Sequence, residues 1–155
     1  MTIKVNIEDI IHGMEFQSDE SASYLNKNTG KVVLITDEEF RALEDNEPIE
    51  DFPDFQHENI KTAREILETD NYIPLPTQFD IHEYDIMGRF CLSIKDMELG
   101  NILYNSIKGS CAFKRFKQNI YRYNIQDDWY KYRDAAIKEI AVEWCKHHNI
   151  KFMEE

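Results

Sequence analysis

A hairpin signal near the N-terminus constrains the fold most. In the stretch SASYLNKNTGKVVLIT, two runs rich in β-prone residues flank the loop residues Asn28, Thr29 and Gly30. A three-residue loop of this kind places its glycine where the backbone needs a positive φ, so the stretch predicts two antiparallel strands. The later segment YIPLP carries prolines at alternate positions, which predicts an edge strand or an extended connector beside the hairpin.

Helical periodicity dominates the rest of the chain. Apolar residues recur at helical spacing in VNIEDIIHGMEF before the hairpin and in several segments after it, the longest being DDWYKYRDAAIKEIAVEWCKHHN. Thr36 with Glu39 and Asp80 with Glu83 have the spacing of capping boxes at helix starts. We therefore predict an α+β fold, a mostly helical single domain over residues 1–155 with a small antiparallel β-hairpin near the N-terminus.

Charge is unevenly distributed along the chain. The net charge is −12, yet residues 1–85 hold 6 Lys/Arg against 21 Asp/Glu, whereas residues 108–133 hold 7 against 2. The acidic segment 37–54 contains nine acids and one base, and it lacks the spacing of a calcium loop, so we expect a solvated segment there. An acidic chain repels phosphate overall, which disfavours non-specific nucleic-acid binding. A local basic surface then either binds a partner or is neutralised by segment 37–54.

The basic surface falls on a predicted helix over residues 111–123, within GSCAFKRFKQN and the residues that follow it. An ideal helix there turns Phe113 and Phe116 toward the core and leaves its cations on the solvent side. Ser110 is the expected N-cap of this helix. The cations are candidate contacts to an anion or an acidic partner, and the alternative is a solubilising face: Lys114, Arg115, Lys117 and Arg122.

Arg133 is a further candidate for binding an anion or partner. It lies on the apolar face of the last predicted helix, four residues after Trp129 and four before Ile137. A guanidinium in that position needs a partner or must extend to water. Two interpretations remain open: an ion pair with an acid from the N-terminal half, or an anion site shared with Arg115.

Sequence motifs for catalysis or cofactor binding are absent. The chain has no phosphate-binding glycine loop, no nucleophile elbow and no pair of histidines at metal-ligand spacing, so we expect no catalytic residue, no cofactor and no metal. Three cysteines without CxxC spacing predict free thiols in a reducing cytosol, each a small core residue. No apolar run approaches 18 residues, and no signal sequence is visible, so we expect a cytoplasmic protein that does not enter the membrane.

Several segments together resemble one bacterial protein family. These are YLNKNTGKVVLITDEE, YIPLPTQFDIHEYDIMGRF, GSCAFKRFKQNIYRYNIQDDWYKYRD and IAVEWCKHHNI, in this order along nearly the whole chain. The family is an uncharacterised protein family typified by a Gly-Ala-Phe-Arg-Arg-Phe-Lys run before a Trp-containing C-terminal helix. This chain departs from that run at Cys111, where the family commonly has Gly, and at Lys114, where it has Arg. The resemblance implies a small bacterial cytoplasmic protein and transfers no activity, cofactor or catalytic residue.

Three functions are consistent with these features. The absence of catalytic motifs favours a non-enzymatic interaction or regulatory protein, whose basic helix meets a protein partner. The first alternative is a nucleic-acid-associated protein that binds phosphates through the basic face of the 111–123 helix, although the net charge disfavours it. The second is an enzyme with a cleft between the hairpin and the C-terminal helices.

Overall fold

The computed structural model describes residues 4–154 and shows an α+β fold in which helices predominate. The strands among these residues are β1 (Lys4–Asn6), β2 (Ser21–Asn26), β3 (Val32–Thr36), β4 (Tyr72–Pro74) and β5 (Lys151–Met153). The α-helices are α1 (Ile7–Phe16), α2 (Asp37–Glu44), α3 (Asp54–Glu68), α4 (Gln78–Ile81), α5 (Glu83–Ser93), α6 (Met97–Ser106), α7 (Ala112–Arg122) and α8 (Gln126–His147). A 3-10 turn at Ile49–Asp51 separates α2 from α3.

The chain forms two compact units. The first, here called the sheet unit, comprises Met1–Asp80 with Ile140–Glu155, and the second, the helical unit, comprises Ile81–Glu139. The boundary falls within α8, so the first part of that helix belongs to the helical unit and its last turns to the sheet unit. No helix within residues 4–154 has both the length and the apolar character needed to cross a bilayer.

The predicted hairpin is confirmed in the sheet unit. Strands β2 and β3 pair antiparallel, with Ser21 opposite Thr36, and Gly30 takes the positive φ of 76° that the loop requires. The YIPLP segment supplies β4, which pairs antiparallel with β2 and forms an edge of the three-stranded sheet β3–β2–β4. The capping box of Thr36 and Glu39 is also present at the start of α2.

Helix α1 packs closely against the hairpin because Gly13 faces it without a side chain. A Cβ atom at Gly13 would lie 2.7 Å from both Leu75 Cδ2 and Val32 Cγ1, which is closer than carbon atoms pack. The Ser23 hydroxyl donates a 2.8 Å hydrogen bond to the Gly13 carbonyl, and the Ser23 amide donates to Gln17 Oε1 at 2.9 Å. These buried polar groups are therefore satisfied within the contact between α1 and the sheet.

A second, two-stranded sheet joins the two ends of the described chain. Strand β1 pairs in parallel with β5, with Val5 opposite Phe152. The sequence does not predict this pairing, because its helical pattern extends over Val5 and Asn6, which belong to β1. Val5, Ile7, Ile10 and Met14 are buried, so the apolar pattern continues across the boundary between strand and helix.

Aromatic rings form the centre of the helical unit. Phe90 of α5, Phe116 of α7 and Trp129 of α8 are buried, and their ring centroids lie 4.8 to 6.2 Å apart. The three pairs meet edge to face, and Tyr132 adds a fourth ring 5.4 Å from Phe90. Such pairs add about 0.5–1.5 kcal/mol each beyond their burial, so this cluster fixes how α5, α7 and the start of α8 pack together.

Two local details differ from the sequence analysis. The capping box at the start of α4 links Thr77 with Asp80, since the Asp80 carboxylate accepts from the Thr77 amide at 2.9 Å, and Glu83 takes no part in it. In α8 the buried positions are Trp129, Ile137, Ala141 and Cys145. The sequence pattern predicts a different face that includes both tryptophans: Trp129, Tyr132, Ala136, Ile140 and Trp144. Beyond Trp129 the observed buried face is displaced from it by one residue.

Candidate interaction surface

Helix α7 is amphipathic, as its sequence predicts, but its buried side is narrow. Ala112, Phe116 and Ile120 are buried, and they follow each other at steps of four residues. The opposite side is exposed and bears no acid; indeed residues 101–126 contain no Asp or Glu. We call this exposed side the α7 face and define it by five residues: Phe113, Lys114, Lys117, Tyr121 and Arg122.

Phe113 does not point into the core, contrary to the sequence analysis. Its side chain is 49% exposed, whereas Phe116 is 1% exposed. Because Phe113, Lys117 and Tyr121 follow each other at steps of four residues, they form one stripe of the helix surface. The α7 face therefore alternates aromatic rings with cations.

The N-terminus of α7 begins at a strained residue and has no side-chain cap. Cys111 occupies the N-cap position in the left-handed conformation, with φ of 61°, and Ser110, the expected cap, precedes it. Cys111 is also exposed, which contradicts its expected place in the core, whereas Cys91 and Cys145 are buried as expected. Burial raises the pKa of each of these two thiols to about 11, so they are protonated and unreactive at neutral pH.

Arg115 holds the loop between α6 and α7. Its Nε donates to the Ser106 carbonyl at 2.7 Å and its Nη2 to the Lys108 carbonyl at 2.5 Å, while Nη1 donates to the Ser110 carbonyl. Ser106 is the last residue of α6, so the guanidinium satisfies a carbonyl that the helix leaves unpaired. In this conformation its donors face backbone carbonyls.

Lys114 and Lys117 are the cations of α7 with the fewest contacts. Within residues 4–154 their ammonium groups form no hydrogen bond and no salt bridge, and both side chains are exposed. The Arg122 guanidinium lies 5.7 Å from the centre of the Tyr123 ring, which is a cation–π distance. The two lysines are thus available to a partner without breaking an existing ion pair.

Tyr121 closes one end of the α7 face through a contact with α8. Its hydroxyl lies 3.3 Å from that of Tyr130, and this hydrogen bond raises the pKa of Tyr121 above its ordinary value. Lys117 acts in the opposite direction on the same pKa because its positive charge is close to the phenol. The contact between the two tyrosines fixes the ring of Tyr121 while 55% of its side chain stays exposed.

Arg133 forms an ion pair with an acidic side chain. Its Nε donates to Glu83 Oε1 at 2.5 Å, and the two side chains are 24% and 37% exposed. The half-buried ion pair that the sequence analysis considered is therefore present, and Glu83 is its acid. Arg115 binds loop carbonyls instead, so the five candidate cations divide into three on the α7 face and two with structural contacts.

The structure shows no metal site in the part of the chain that it describes. Among residues 4–154 no three His, Cys, Asp or Glu side chains are grouped closely enough to hold an ion. A pocket does lie beside the hairpin, but α1 forms its other wall and α8 does not line it. It therefore differs from the cleft that the sequence analysis considered for an enzyme.

Comparison with known proteins identifies the family of this chain. The model of the Uncharacterised protein family (UPF0158) matches residues 1–155. The chain belongs to this family. A UPF0158 protein of Pseudomonas aeruginosa is 27% identical to it over 133 residues, which cover 83% of this chain and 73% of that protein. No solved structure matches the chain.

For this UPF0158 member, the α7 face lies on the less acidic unit. The helical unit has 10 Lys/Arg against 8 Asp/Glu, a net of +2, whereas the sheet unit has 8 against 22, a net of −14. Charges are screened over about 8–10 Å at physiological salt. Residues 101–126 around Lys114 and Lys117 contain no acid, and Asp127, just after this segment, raises the pKa of Tyr121.

Proposed function

We propose that this protein is a non-enzymatic interaction protein of the cytoplasm that binds an acidic partner protein through the α7 face. The observation that carries the proposal is the stripe of Phe113, Lys117 and Tyr121 beside Lys114, all exposed on helix α7. Aromatic residues are enriched at protein interfaces and supply most of the binding energy, and the cations add complementarity to acids. Free thiols support the cytoplasmic location.

Each candidate cation has a distinct part in this proposal. Lys114, Lys117 and Arg122 contact the partner directly. Arg115 keeps the loop before α7 in place, and Arg133 anchors α8 to α5 through Glu83. Because the latter two act on the support of the face, their removal weakens binding together with stability.

A second candidate is binding of single-stranded nucleic acid. The exposure of Phe113 and Tyr121 favours it, since bases stack on exposed rings between cations and each stacked base contributes about 1–3 kcal/mol. The net charge of −12 opposes it. The two candidates predict different partners for the same surface, so one experiment separates them.

Photo-crosslinking in cells tests the proposal. The crosslinking residue p-benzoylphenylalanine replaces Gln118, which is exposed in the middle of the α7 face, or Lys95, which is exposed outside α7. We expect a discrete protein adduct at position 118 and none at position 95. The purified adduct partner should then bind with an affinity that falls with salt.

Matched charge variants complete the test. Lys114→Glu with Lys117→Glu should weaken binding by about tenfold or more, because both cations leave the interface. Lys95→Glu with Lys131→Glu makes the same change in net charge outside α7 and should leave binding intact. If nuclease removes the adduct, its partner is a nucleic acid. That result, together with loss of oligonucleotide binding in Phe113→Ala, would favour the second candidate over the proposal. No adduct of either kind at position 118 would reject both.

A further inference from the structure

A pocket of about 440 Å³ lies in the sheet unit between α1 and the hairpin. On one side it is lined by Asp9, His12 and Phe16, which share a face of α1 because they are three and four residues apart. On the other side lie Lys31, Val32 and Leu34 from the end of the hairpin loop and β3. Its volume is in the range of small-molecule sites.

Two polar groups at the floor of the pocket bond to each other. Gly13 and Ser23 line it, and the Ser23 hydroxyl already donates to the Gly13 carbonyl at 2.8 Å. The contact of Gly13 with the sheet also keeps α1 at a fixed distance from the hairpin. Polar recognition must therefore come from the charged side chains at the rim.

Three titratable side chains stand at the rim of the pocket. Within residues 4–154, the side chains of Asp9, His12 and Lys31 form no hydrogen bond or salt bridge. The backbone of Lys31 is nevertheless fixed, since its amide donates to Thr29 Oγ1 at 3.2 Å and its carbonyl accepts from the Asn26 amide at 2.9 Å. A carboxylate and an ammonium group thus stand over one pocket on backbones that are held in place.

Apolar side chains line the same pocket as these two charged groups. Phe16 is 70% exposed and Leu34 is 38% exposed, and both line the pocket. Half-exposed Val32 lies beside them. An apolar wall with a few charged groups is the usual composition of a small-ligand site.

We propose that this pocket binds a small zwitterion with an apolar body, such as a free α-amino acid with an aromatic or branched side chain. Lys31 binds the carboxylate and Asp9 binds the ammonium group, while the apolar body packs on Phe16 and Leu34. A ligand with only one charge leaves Asp9 or Lys31 facing a group of the same charge or none, so the pair of opposite charges selects the zwitterion. The site is in the sheet unit and does not depend on the function proposed for α7.

Amide NMR titration of the full chain with L-phenylalanine and L-leucine tests the proposal. We expect saturable shifts of the Gly13 and Gly30 amides, both of which line the pocket. Phenylacetate and 2-phenylethylamine, which each lack one charge, should bind at least tenfold more weakly, and so should glycine, which lacks the apolar body. Equal binding of any of these three would overturn the assignment of the ligand class, and the absence of saturable shifts at millimolar L-phenylalanine and L-leucine would overturn the site.

Variants with matched controls test whether Lys31 and Asp9 bind the two charged groups of the ligand. Lys31→Glu and Asp9→Asn should each weaken L-phenylalanine binding at least tenfold. Lys27→Glu changes another exposed lysine of the hairpin loop, and Glu8→Gln another acid of the first turn of α1, and neither residue lines the pocket, so both should bind as the native chain does. Phe16→Ala removes an exposed ring, leaves the core intact and should also weaken binding. Retained affinity in Lys31→Glu or Asp9→Asn would contradict the proposed contacts.

Discussion

The two units bury different kinds of side chain. In the sheet unit the buried apolar residues are aliphatic or small, among the residues that the structure describes, and three polar side chains are buried with them: Gln17, Ser23 and Glu39. In the helical unit the largest buried residues are the aromatic rings of Phe90, Phe116 and Trp129. The sheet unit therefore depends on close backbone approach and satisfied polar groups, and the helical unit on the packing of rings.

This difference makes each unit sensitive to a different substitution. A ring removed from the helical unit leaves a cavity, because three helices meet around it. A methyl group added at the contact of α1 with the sheet creates overlap, because the space there is already filled. The two tryptophans report the units separately, since Trp129 belongs to the helical unit and Trp144 to the sheet unit.

The largest expected effect is that of Phe116→Ala in the helical unit. Phe116 is 1% exposed and touches the rings of both Phe90 and Trp129, so its loss should lower the free energy of unfolding by about 3–5 kcal/mol. The measurement is urea unfolding of 5-fluorotryptophan-labelled protein followed by fluorine NMR, in which each tryptophan gives its own resonance.

An exposed ring provides the control for Phe116. Phe55 is 79% exposed, so Phe55→Ala should change the free energy of unfolding by no more than about 0.5 kcal/mol. If Phe116→Ala also changed the free energy of unfolding by no more than about 0.5 kcal/mol, measured at the Trp129 resonance, the aromatic cluster would not dominate the stability of the helical unit.

Gly13→Ala is expected to have the next largest effect, and it acts on the sheet unit. The new methyl group would lie 2.7 Å from Leu75 and Val32, so α1 or the sheet must shift, at a cost of about 1–3 kcal/mol. The resonance of Trp144 should report this loss in the same urea titration.

Gly88 in α5 offers a matched glycine without a close neighbour. A Cβ atom there meets nothing within 4 Å among residues 4–154, so Gly88→Ala should be neutral or stabilise the protein by up to about 1 kcal/mol through helix propensity. If Gly13→Ala behaved like Gly88→Ala, the contact between α1 and the hairpin would be looser than the structure indicates.

Local chemistry predicted those parts of the fold whose partners are close in sequence. The hairpin loop at Gly30 and the cap at Thr36 depend on residues within five positions of each other. The alternate prolines of the YIPLP segment restrict where β4 can pair. The parallel pairing of β1 with β5 was missed because its strands lie at opposite ends of the chain and each has three residues. Strands so short carry no usable periodicity.

The candidate surface was predicted in part for a related reason. Periodicity assigned Lys114 and Lys117 to the exposed side of α7, but it also assigned Phe113 to the core. A helical wheel uses only the apolar character and spacing of residues, and it does not show which part of the apolar side other helices cover. The contacts of Arg115 depend on the path of the loop after α6, which brings three carbonyls to one guanidinium. No spacing rule encodes that path.

Cys111→Gly tests the strained residue before α7, and its expected effect on the free energy of unfolding is smaller than those above. Cys111 has φ of 61°, which costs a residue with a Cβ atom about 1–2 kcal/mol, while glycine loses about 0.5–1 kcal/mol more backbone entropy on folding. The substitution should therefore raise the free energy of unfolding by about 0.5–1 kcal/mol, measured by urea titration. Cys111→Ser keeps the strained backbone and should not stabilise, whereas equal stabilisation by both variants would assign the effect to the thiol.

The smallest expected effect is a pH dependence at the end of α8 in the sheet unit. Burial lowers the pKa of the His148 imidazole below its ordinary value, and the charge of His147 lowers it further. The unfolded chain then binds a proton at a higher pH than the folded protein, so the contribution of His148 to stability is complete above its unfolded pKa, about 6.5, and declines as the pH falls through that value.

His148→Gln should remove this part of the decline, which unfolding titrations between pH 8 and about pH 5 would measure. The ring of His148 lies 5.0 Å from that of Trp144, so the same decline should appear at the Trp144 resonance before it appears at Trp129. A profile unchanged by His148→Gln would mean that this imidazole is as well solvated in the folded protein as in the unfolded chain.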